Sequence, residues 1–362
     1  MPAPPPAPSA SGRRSARALL GAHAGLLAAI ASVTVLSGAT GPAEVSLTES
    51  VRVIVGHLLP GMPWMSDGSI TPLQDQAVWR FRLPRTLLAG LAGAGLALSG
   101  ALMQAIVRNP LAEPYVLGVS AGASVGAVSV ITLGWTAAAG LTLGTAAFLG
   151  ALAATLAVYL LARRQGVLAP TRMVLSGVAL GSLLSAVTSY LTLTTEAQNV
   201  FSVLFFLLGS VSAATMGSLV VPAAAVALVA LFALTRTRAL NALLVGDEAA
   251  TALGVDVSRL RAQVMVAASL LTGAVVSVSG GIGFVGLVVP HTARILVGAD
   301  HRRMLPVALL GGALFLMVAD LLARTVAVPA EIPLGIVTAV VGAPFFLWLV
   351  RQGRAARVGM QR

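Results

Sequence analysis

The chain has 362 residues, of which 57% are hydrophobic and only 10% are charged, and its mean hydropathy is +0.93. A water-soluble domain needs far more charge to cover its surface, so this composition excludes a soluble globular protein. Cysteine is absent and the formal net charge is +11, which excludes disulfides, thiolate metal sites and a thiol nucleophile.

Every basic residue is an arginine, because the sequence contains no lysine. The arginines lie between apolar runs and not in one patch, which indicates membrane topology and not nucleic-acid binding. Without lysine the chain has no P-loop lysine, so ATP-driven work requires a nucleotide site on another subunit. We therefore expect no catalytic site, no cofactor and no metal site in this chain.

In chain order, residues 1–18 are rich in Pro, Ala and Ser and then basic, which predicts a disordered cytoplasmic tail. The apolar run that starts at Leu19 has the position of a signal peptide, but its length and the many later spans favour a retained first helix. Nine further apolar segments follow, centred on residues 83–107, 115–134, 138–161, 172–193, 217–235, 260–279, 282–297, 305–323 and 333–350.

A helix that crosses the hydrocarbon core takes about 20 apolar residues. The predicted fold class is therefore an all-α polytopic membrane protein with about ten transmembrane helices. The membrane domain is predicted over residues 19–353, and residues 354–362 form a second cytoplasmic tail.

An even number of spans puts both termini on one side. The arginine distribution makes that side the cytoplasm, because only five of the 23 arginines then lie outside, namely Arg52, Arg80, Arg82, Arg85 and Arg324.

Two outer segments are predicted to be helical. Ser46 and Glu49 fit a capping box that opens a short helix running to about Leu59. Residues Asn199–Gly209 are apolar but too short to cross, so they indicate an outer half-helix near the mouth of a pathway.

An inverted internal repeat is indicated at an offset of 180 residues. The residues of the first copy are Leu91, Gly93, Ala94, Ser99, Gly100, Pro110 and Gly118, which recur as Leu271, Gly273, Ala274, Ser279, Gly280, Pro290 and Gly298. Five spans separate the two copies, so they have opposite topology, as in transporters built from inverted repeats.

Glycines at helical spacing predict close helix packing. Gly118, Gly122 and Gly126 recur every fourth residue in the third span, and Gly177 and Gly181 do so in the fifth. Small residues at this spacing let two helix backbones approach closely. Internal packing is favoured over a subunit contact for any one pair, and a position along the pathway is the alternative.

The inner loop 236–259 is the most informative segment for function. Gly246 is predicted to end one short helix, Asp247 to N-cap the next and Gly254 to terminate it. The result is a cytoplasmic helix–turn–helix that suits a groove on a partner. Glu248, Ala249, Ala250 and Gly254 also follow the EAA-x-x-x-G pattern of importer permeases, in which this loop contacts the ATPase. Together with Asp247 they are the predicted ATPase-coupling residues.

A series of ordered motifs resembles the permease family of iron-siderophore, haem and cobalamin ABC importers. The motifs are Arg82–Arg85, Ser99-Gly100 with Gln104, Arg108–Pro114, Leu117–Ala123, Gly283–Leu287 with Pro290-His291, Asp300–Arg302, Ala319-Asp320, Glu331–Gly335 and Thr338 with Gly342–Pro344. The likeness runs from about Arg82 to Val350. It implies ten spans, a homodimer, two cytoplasmic ATPase subunits, a periplasmic binding protein and the bacterial inner membrane.

The resemblance also implies roles for the outer arginines and a class of substrate. Arg82, Arg85 and Arg324 match family arginines that meet acidic residues of the binding protein. The alternative is that Arg324 pairs with Asp320 while Arg82 and Arg85 anchor the helix at lipid headgroups. A ferric siderophore is the expected metal chelate, with haem or cobalamin as alternatives. A secondary transporter is a more distant alternative. Such a transporter would place ion-coupling acidic residues at mid-membrane, whereas the acidic residues of this chain lie near the ends of spans and in loops.

Overall fold

The computed structural model describes residues 10–134, 142–164 and 167–359. Within these ranges, nearly all of the regular secondary structure is helical. The helices are α1 (Ala10–Ala39), α2 (Leu47–Leu58), α3 (Pro72–Asp75), α4 (Leu83–Val107), α5 (Val119–Leu133), α6 (Leu143–Ala162), α7 (Pro170–Thr194), α8 (Ala197–Leu208), α9 (Val220–Thr235), α10 (Thr237–Val245), α11 (Asp247–Ala252), α12 (Val257–Ser279), α13 (Val285–Val297), α14 (His301–Thr325) and α15 (Leu334–Gly359). Strands β1 (Arg163–Arg164) and β2 (Val167–Leu168) form a two-residue antiparallel ladder. A π-helical turn, Gln76–Arg82, joins α3 to α4.

Seven helical segments of the described chain are long and apolar enough to cross a membrane: Leu19–Ala39, Pro72–Val107, Leu143–Ala162, Pro170–Thr194, Gly217–Thr235, Val257–Ser279 and His301–Thr325. The other three predicted spans are the shorter apolar helices α5, α13 and the first part of α15, Leu334–Trp348. Irregular backbone precedes α5 and α13, and such backbone is tolerated at membrane depth where it is buried in protein or lines a cavity. The predicted all-helical polytopic fold is confirmed.

Helix α4 lies at the centre of the bundle and packs against α9, α12, α13 and α14. Its glycines make this possible. A Cβ atom at Gly93 would overlap the carbonyl oxygen of Gly312 on α14, and a Cβ at Gly100 would overlap that of Gly286 on α13. Lipid offers no hydrophobic drive for helix association, so close backbone contact and dispersion hold such crossings together.

The helix contacts have the symmetry that the predicted repeat requires. In the repeat, α4, α5 and α6 correspond to α12, α13 and α14. The contact between α4 and α14 then corresponds to the contact between α12 and α6. The contact between α5 and α6 likewise corresponds to the contact between α13 and α14. Leu91 and Leu271 lie on the corresponding helices α4 and α12. The match ends at Ser99 and Ser279, because α4 continues beyond Ser99 whereas α12 stops at Ser279.

The outer segment between α1 and α4 has a small core of its own, formed by Val45, Val53, Ile70 and Val78. The predicted capping box is confirmed. The Ser46 N–H donates to Glu49 Oε2 over 2.7 Å, and the Glu49 N–H donates to Ser46 Oγ over 3.2 Å. The predicted half-helix at Asn199–Gly209 is also confirmed as α8.

The structure adds helical residues to both predicted tails. Helix α1 begins at Ala10 and not at Leu19, so residues 10–18 of the predicted disordered tail are helical, while residues 1–9 lie outside the described ranges. Helix α15 runs to Gly359, so the predicted tail 354–362 is helical as far as the structure describes it. Both extensions continue a hydrogen-bonded helix past the end of the apolar run, where hydropathy gives no signal.

Candidate functional site

A short helix pair projects at the inner end of the bundle. Helices α10 and α11 meet at Gly246, which has a φ of 124°, a value that glycine adopts readily and other residues rarely do. Gly254 follows α11 with a φ of 82°, and a Cβ there would have no neighbour within 4 Å. Gly254 thus ends the second helix as predicted, at an open position.

The predicted N-cap role of Asp247 is wrong. Gly246 occupies the N-cap position, and Asp247 is the first helical residue. Its carboxylate is drawn away from the helix end by Arg261, which donates to both carboxylate oxygens over 2.9 Å. Arg108 lies 3.7 Å from the same carboxylate. Charge-assisted hydrogen bonds from a guanidinium group stabilise a carboxylate more than a hydrogen bond from a single backbone N–H does.

The helix pair exposes apolar side chains next to an acidic one. Val245 is 75% exposed and Leu253 is 71% exposed, Leu244 is also exposed, and Glu248 lies between them in the chain with an exposed side chain. Ala250 is buried and Ala249 is half-buried, so these two alanines seat the helix on the bundle. Exposed apolar patches occur at protein–protein and membrane contacts. Sequence reasoning missed these three apolar residues, although the amphipathic pattern of α10 carries the signal.

The three predicted docking arginines surround one outer cavity of about 730 Å³. Arg82 is only 6% exposed and donates to the carbonyl oxygens of Gly38 and Ala43 over 2.8 and 2.7 Å. These bonds tie the start of α4 to the end of α1. Arg82 therefore already has acceptors within the chain.

Arg85 and Arg324 share the carboxylate of Asp320. Arg85 Nε donates to Asp320 over 2.9 Å, and its Nη1 donates to Glu331 over 2.8 Å. Arg324 lies 3.8 Å from Asp320 and also donates to the carbonyl oxygens of Thr40 and Ser37. The Arg324–Asp320 pair of the alternative reading is thus present. Glu331, which sequence reasoning did not place here, is the most exposed member, with 41% of its side chain exposed.

The predicted packing glycines lie at two helix contacts. Gly122 and Gly126 face α6, where Cβ atoms would overlap the carbonyl oxygens of Gly150 and Ala146. Gly118 is not in the helix but caps it, with a φ of 72°, and it lies against Gly177 and Gly181 of α7. These contacts are all within the chain.

A cavity of about 650 Å³ opens between α5 and α7, and its polar lining consists of hydroxyl groups. They belong to Tyr115, Ser120, Ser124, Ser182 and Ser185. Helix α7 buries little of its surface within the chain, so this side of the bundle is open to a neighbouring molecule. Sequence reasoning missed these serines, although Ser120 and Ser124 have the i, i+4 spacing of a single helix face.

The irregular backbone before α13 contacts the irregular segment before α5. Phe284 has a φ of 67°, a left-handed conformation unusual for its residue type, and its N–H donates to Glu113 Oε1 over 3.1 Å. Glu113 lies in the irregular segment between α4 and α5, so it joins the two helix breaks.

Neither His301 nor His291 has a metal-site environment. His301 is fully buried and contacts Asn241 through Nδ1 over 2.7 Å, and the ring of His291 packs edge-on against Phe345. Within the described ranges, no group of three or more His, Asp or Glu side chains could hold a metal ion.

A multi-pass helical bundle with a repeated helix arrangement, a hydroxyl-lined cavity and an exposed helix pair at one end is a membrane transport subunit. The FecCD transport family matches residues 26–352, so the chain belongs to that family. It is a permease subunit of the ABC-importer type, which has no ATPase site of its own. The resemblance stated from the sequence is confirmed.

Individual relatives agree with this assignment over most of the chain. It is 41% identical to the cobalamin import system permease protein BtuC of Halobacterium salinarum, covering 89% of this chain and 88% of that one. It is 40% identical to the hemin transport system permease protein HmuU of Yersinia pestis, covering 79% and 87%. A solved metal-chelate type ABC transporter in an inward-facing conformation superposes with a TM-score of 0.78 at 33% identity, covering 91% and 98%.

Proposed function

We propose that this permease works as a homodimer in a bacterial inner membrane and imports a metal chelate, most specifically a ferric siderophore. Two cytoplasmic ATPase subunits drive it, and a periplasmic binding protein supplies the chelate. The observation that carries the substrate class is the hydroxyl-lined cavity between α5 and α7. Serine and tyrosine hydroxyls both donate and accept hydrogen bonds, which suits the oxygen-rich surface of a siderophore.

Haem fits this lining less well. Haem is a largely apolar plane, for which four serine hydroxyls are poor partners, although Tyr115 is a side chain of a type that can ligate haem iron. Cobalamin is the second candidate, because its many amide groups also match hydroxyl partners and because the relative BtuC is named for it.

The deciding experiment is uptake into proteoliposomes that contain the permease, its ATPase and its binding protein. Ferrichrome, haemin and cyanocobalamin are supplied separately with and without internal ATP. ATP-dependent accumulation of ferrichrome above the other two is expected. Accumulation of cyanocobalamin or haemin alone would reassign the substrate, and ATP-independent uptake of any of them would favour a secondary transporter.

The exposed patch of Leu244, Val245 and Leu253, together with Asp247–Gly254, is the proposed contact for the ATPase. Apolar side chains exposed to water supply the burial that a protein interface needs. The weakly buried face of α7 is the proposed contact with the second permease. Single cysteines can be introduced without background, because the chain has none. Disulfide formation between two copies of Ser182→Cys is expected, and its absence at several neighbouring α7 positions would contradict the dimer face.

Arg82, Arg85 and Arg324 are the proposed docking residues for the binding protein. Each has acceptors within the chain, so docking requires carboxylates of the binding protein to join or replace these acceptors, most easily Glu331 at Arg85. Arg85→Glu should weaken capture more at low salt than at high salt. Arg80→Glu is a matched control, because it makes the same charge change at an exposed outer position. Equal affinity and salt dependence in both variants would reject docking at Arg85.

A further inference from the structure

Arg261 connects three segments of the chain at the inner end of α12. Its guanidinium group donates two parallel hydrogen bonds to Asp247, each 2.9 Å long. The same group donates to the carbonyl oxygens of Ile106 over 3.0 Å and Leu168 over 3.4 Å. These acceptors lie in the first turn of α11, the last turn of α4 and strand β2.

The chemistry of this contact makes it stiff. Arg261 is only 3% exposed, and Asp247 is the carboxylate that balances its charge. A bidentate arginine–carboxylate pair fixes orientation as well as distance. The planar guanidinium group cannot follow a displaced carboxylate without giving up one of its other bonds. A shift of α11 is therefore felt at α4 and β2.

Both segments lead directly to the hydroxyl-lined cavity. Helix α4 ends at Val107. The next residue, Arg108, has a left-handed φ of 53° and turns the chain into the segment that carries Glu113 and Tyr115. Glu113 in turn accepts the N–H of Phe284 at the second helix break. Strand β2 immediately precedes α7, which carries Ser182 and Ser185. Tyr115 and these serines line the same cavity.

We propose that Arg261 is the positioning residue that makes α11 move as one unit with the inner ends of α4 and α7. A displacement of the helix pair by the ATPase is thereby passed to the cavity walls at Tyr115 and Ser182. This role rests on the proposed function, in which α10 and α11 contact the ATPase. The proposal assigns the transmission step to the Arg261 side chain and the carboxylate of Asp247.

A purely structural role for Arg261 predicts a different phenotype. Loss of a buried ion pair that only holds the fold lowers the amount of folded permease, so uptake and ATP hydrolysis fall in proportion. Loss of a transmitting contact leaves the ATPase bound and hydrolysing while the cavity responds poorly. The ratio of chelate accumulated to ATP hydrolysed separates the two roles.

The test measures that ratio in proteoliposomes for wild type, Arg261→Gln, Arg261→Lys and Asp247→Asn. Arg261→Gln should lower uptake per ATP by about tenfold, as expected for a lost charge-assisted contact, while ATP hydrolysis stays within about twofold. Arg261→Lys should fall between it and wild type, because it keeps the charge but loses the fork. Arg351→Gln, an exposed arginine on α15 at the same end, is the control and should match wild type.

A distance measurement gives an independent readout without a transported substrate. Spin labels at Ala242 on α10 and at Leu111 beyond α4 should keep one distance with and without nucleotide in the wild type. In Arg261→Gln that distance should change or broaden when nucleotide is added.

Unchanged uptake per ATP in all three variants, or a parallel loss of uptake and hydrolysis, would overturn the proposal. Should Arg261→Gln fail to insert, Asp247→Asn decides, because Asp247 is 39% exposed and the change is nearly isosteric. A wild type that neither binds the ATPase nor accumulates ferrichrome, haemin or cyanocobalamin would refute the proposed function instead, and the two failures are distinguishable.

Discussion

Two glycines one turn apart on α4 provide a sharp test of how the bundle is held together. At Gly93 an added Cβ would overlap the backbone carbonyl of Gly312, which cannot move without shifting α14. At Gly90 the nearest atom is the Met317 Sδ at 3.2 Å, the mobile end of a flexible side chain. The same substitution therefore meets backbone at one site and a yielding side chain at the other.

The expected sizes follow from these contacts. Replacing glycine by alanine within a helix gains about 0.5–1 kcal/mol from backbone entropy, and both sites share this gain. Overpacking costs about 1–3 kcal/mol, and only Gly93 incurs it in full. Gly93→Ala should be destabilised by up to about 2.5 kcal/mol, whereas Gly90→Ala should be neutral or slightly stabilised.

The assay is thermal unfolding of the purified permease in detergent, followed by the loss of the monodisperse peak in size-exclusion chromatography. Gly93→Ala should unfold several degrees below wild type, and Gly90→Ala at or above it. Gly21→Ala, at a position with open space around it, controls for the helix-propensity gain alone. Equal melting temperatures for Gly93→Ala and Gly90→Ala would refute the close α4–α14 contact.

Two further predictions address topology and coupling. A cysteine introduced at Ala242 should resist an impermeant thiol reagent in intact spheroplasts and react after lysis, and labelling of intact spheroplasts would reverse the assigned orientation. Gly254→Arg should abolish ATPase association at normal membrane abundance, while Gly254→Ala, which carries the same left-handed strain of about 1 kcal/mol without the bulk, should retain it; full transport by Gly254→Arg would reject this loop as the ATPase contact.

Hydropathy and charge were sufficient for the fold class, because a chain in lipid must satisfy its backbone within helices. Local rules also identified α2 from Ser46 and Glu49, and the short helix pair from Gly246 and Gly254. Each of these signals lies within a few residues of the feature that it predicts. Sequence alone could therefore place them.

The features that sequence reasoning missed depend on contacts between distant segments. Asp247 has the residue type and position of an N-cap, but Arg261 lies beside it in space and takes its carboxylate. The outer arginines are exceptions to the positive-inside rule. Apart from Asp320, which lies four residues before Arg324, their acceptors come from the end of α1, from the residues that follow it and from Glu331. The serines around the α5–α7 cavity converge only when two helices are brought together. None of these partners can be read from spacing along one segment.

The contact between Gly93 and Gly312 has a consequence for biosynthesis. Helix α4 enters the membrane long before α14 has been synthesised, so its glycine-lined face has no native partner during most of translation. The first copy of the repeat cannot complete its interior on its own, because the helix that fills it belongs to the second copy. Assembly of this permease therefore finishes only when its last helices arrive, and a truncated chain would leave α4 exposed to lipid and to membrane proteases.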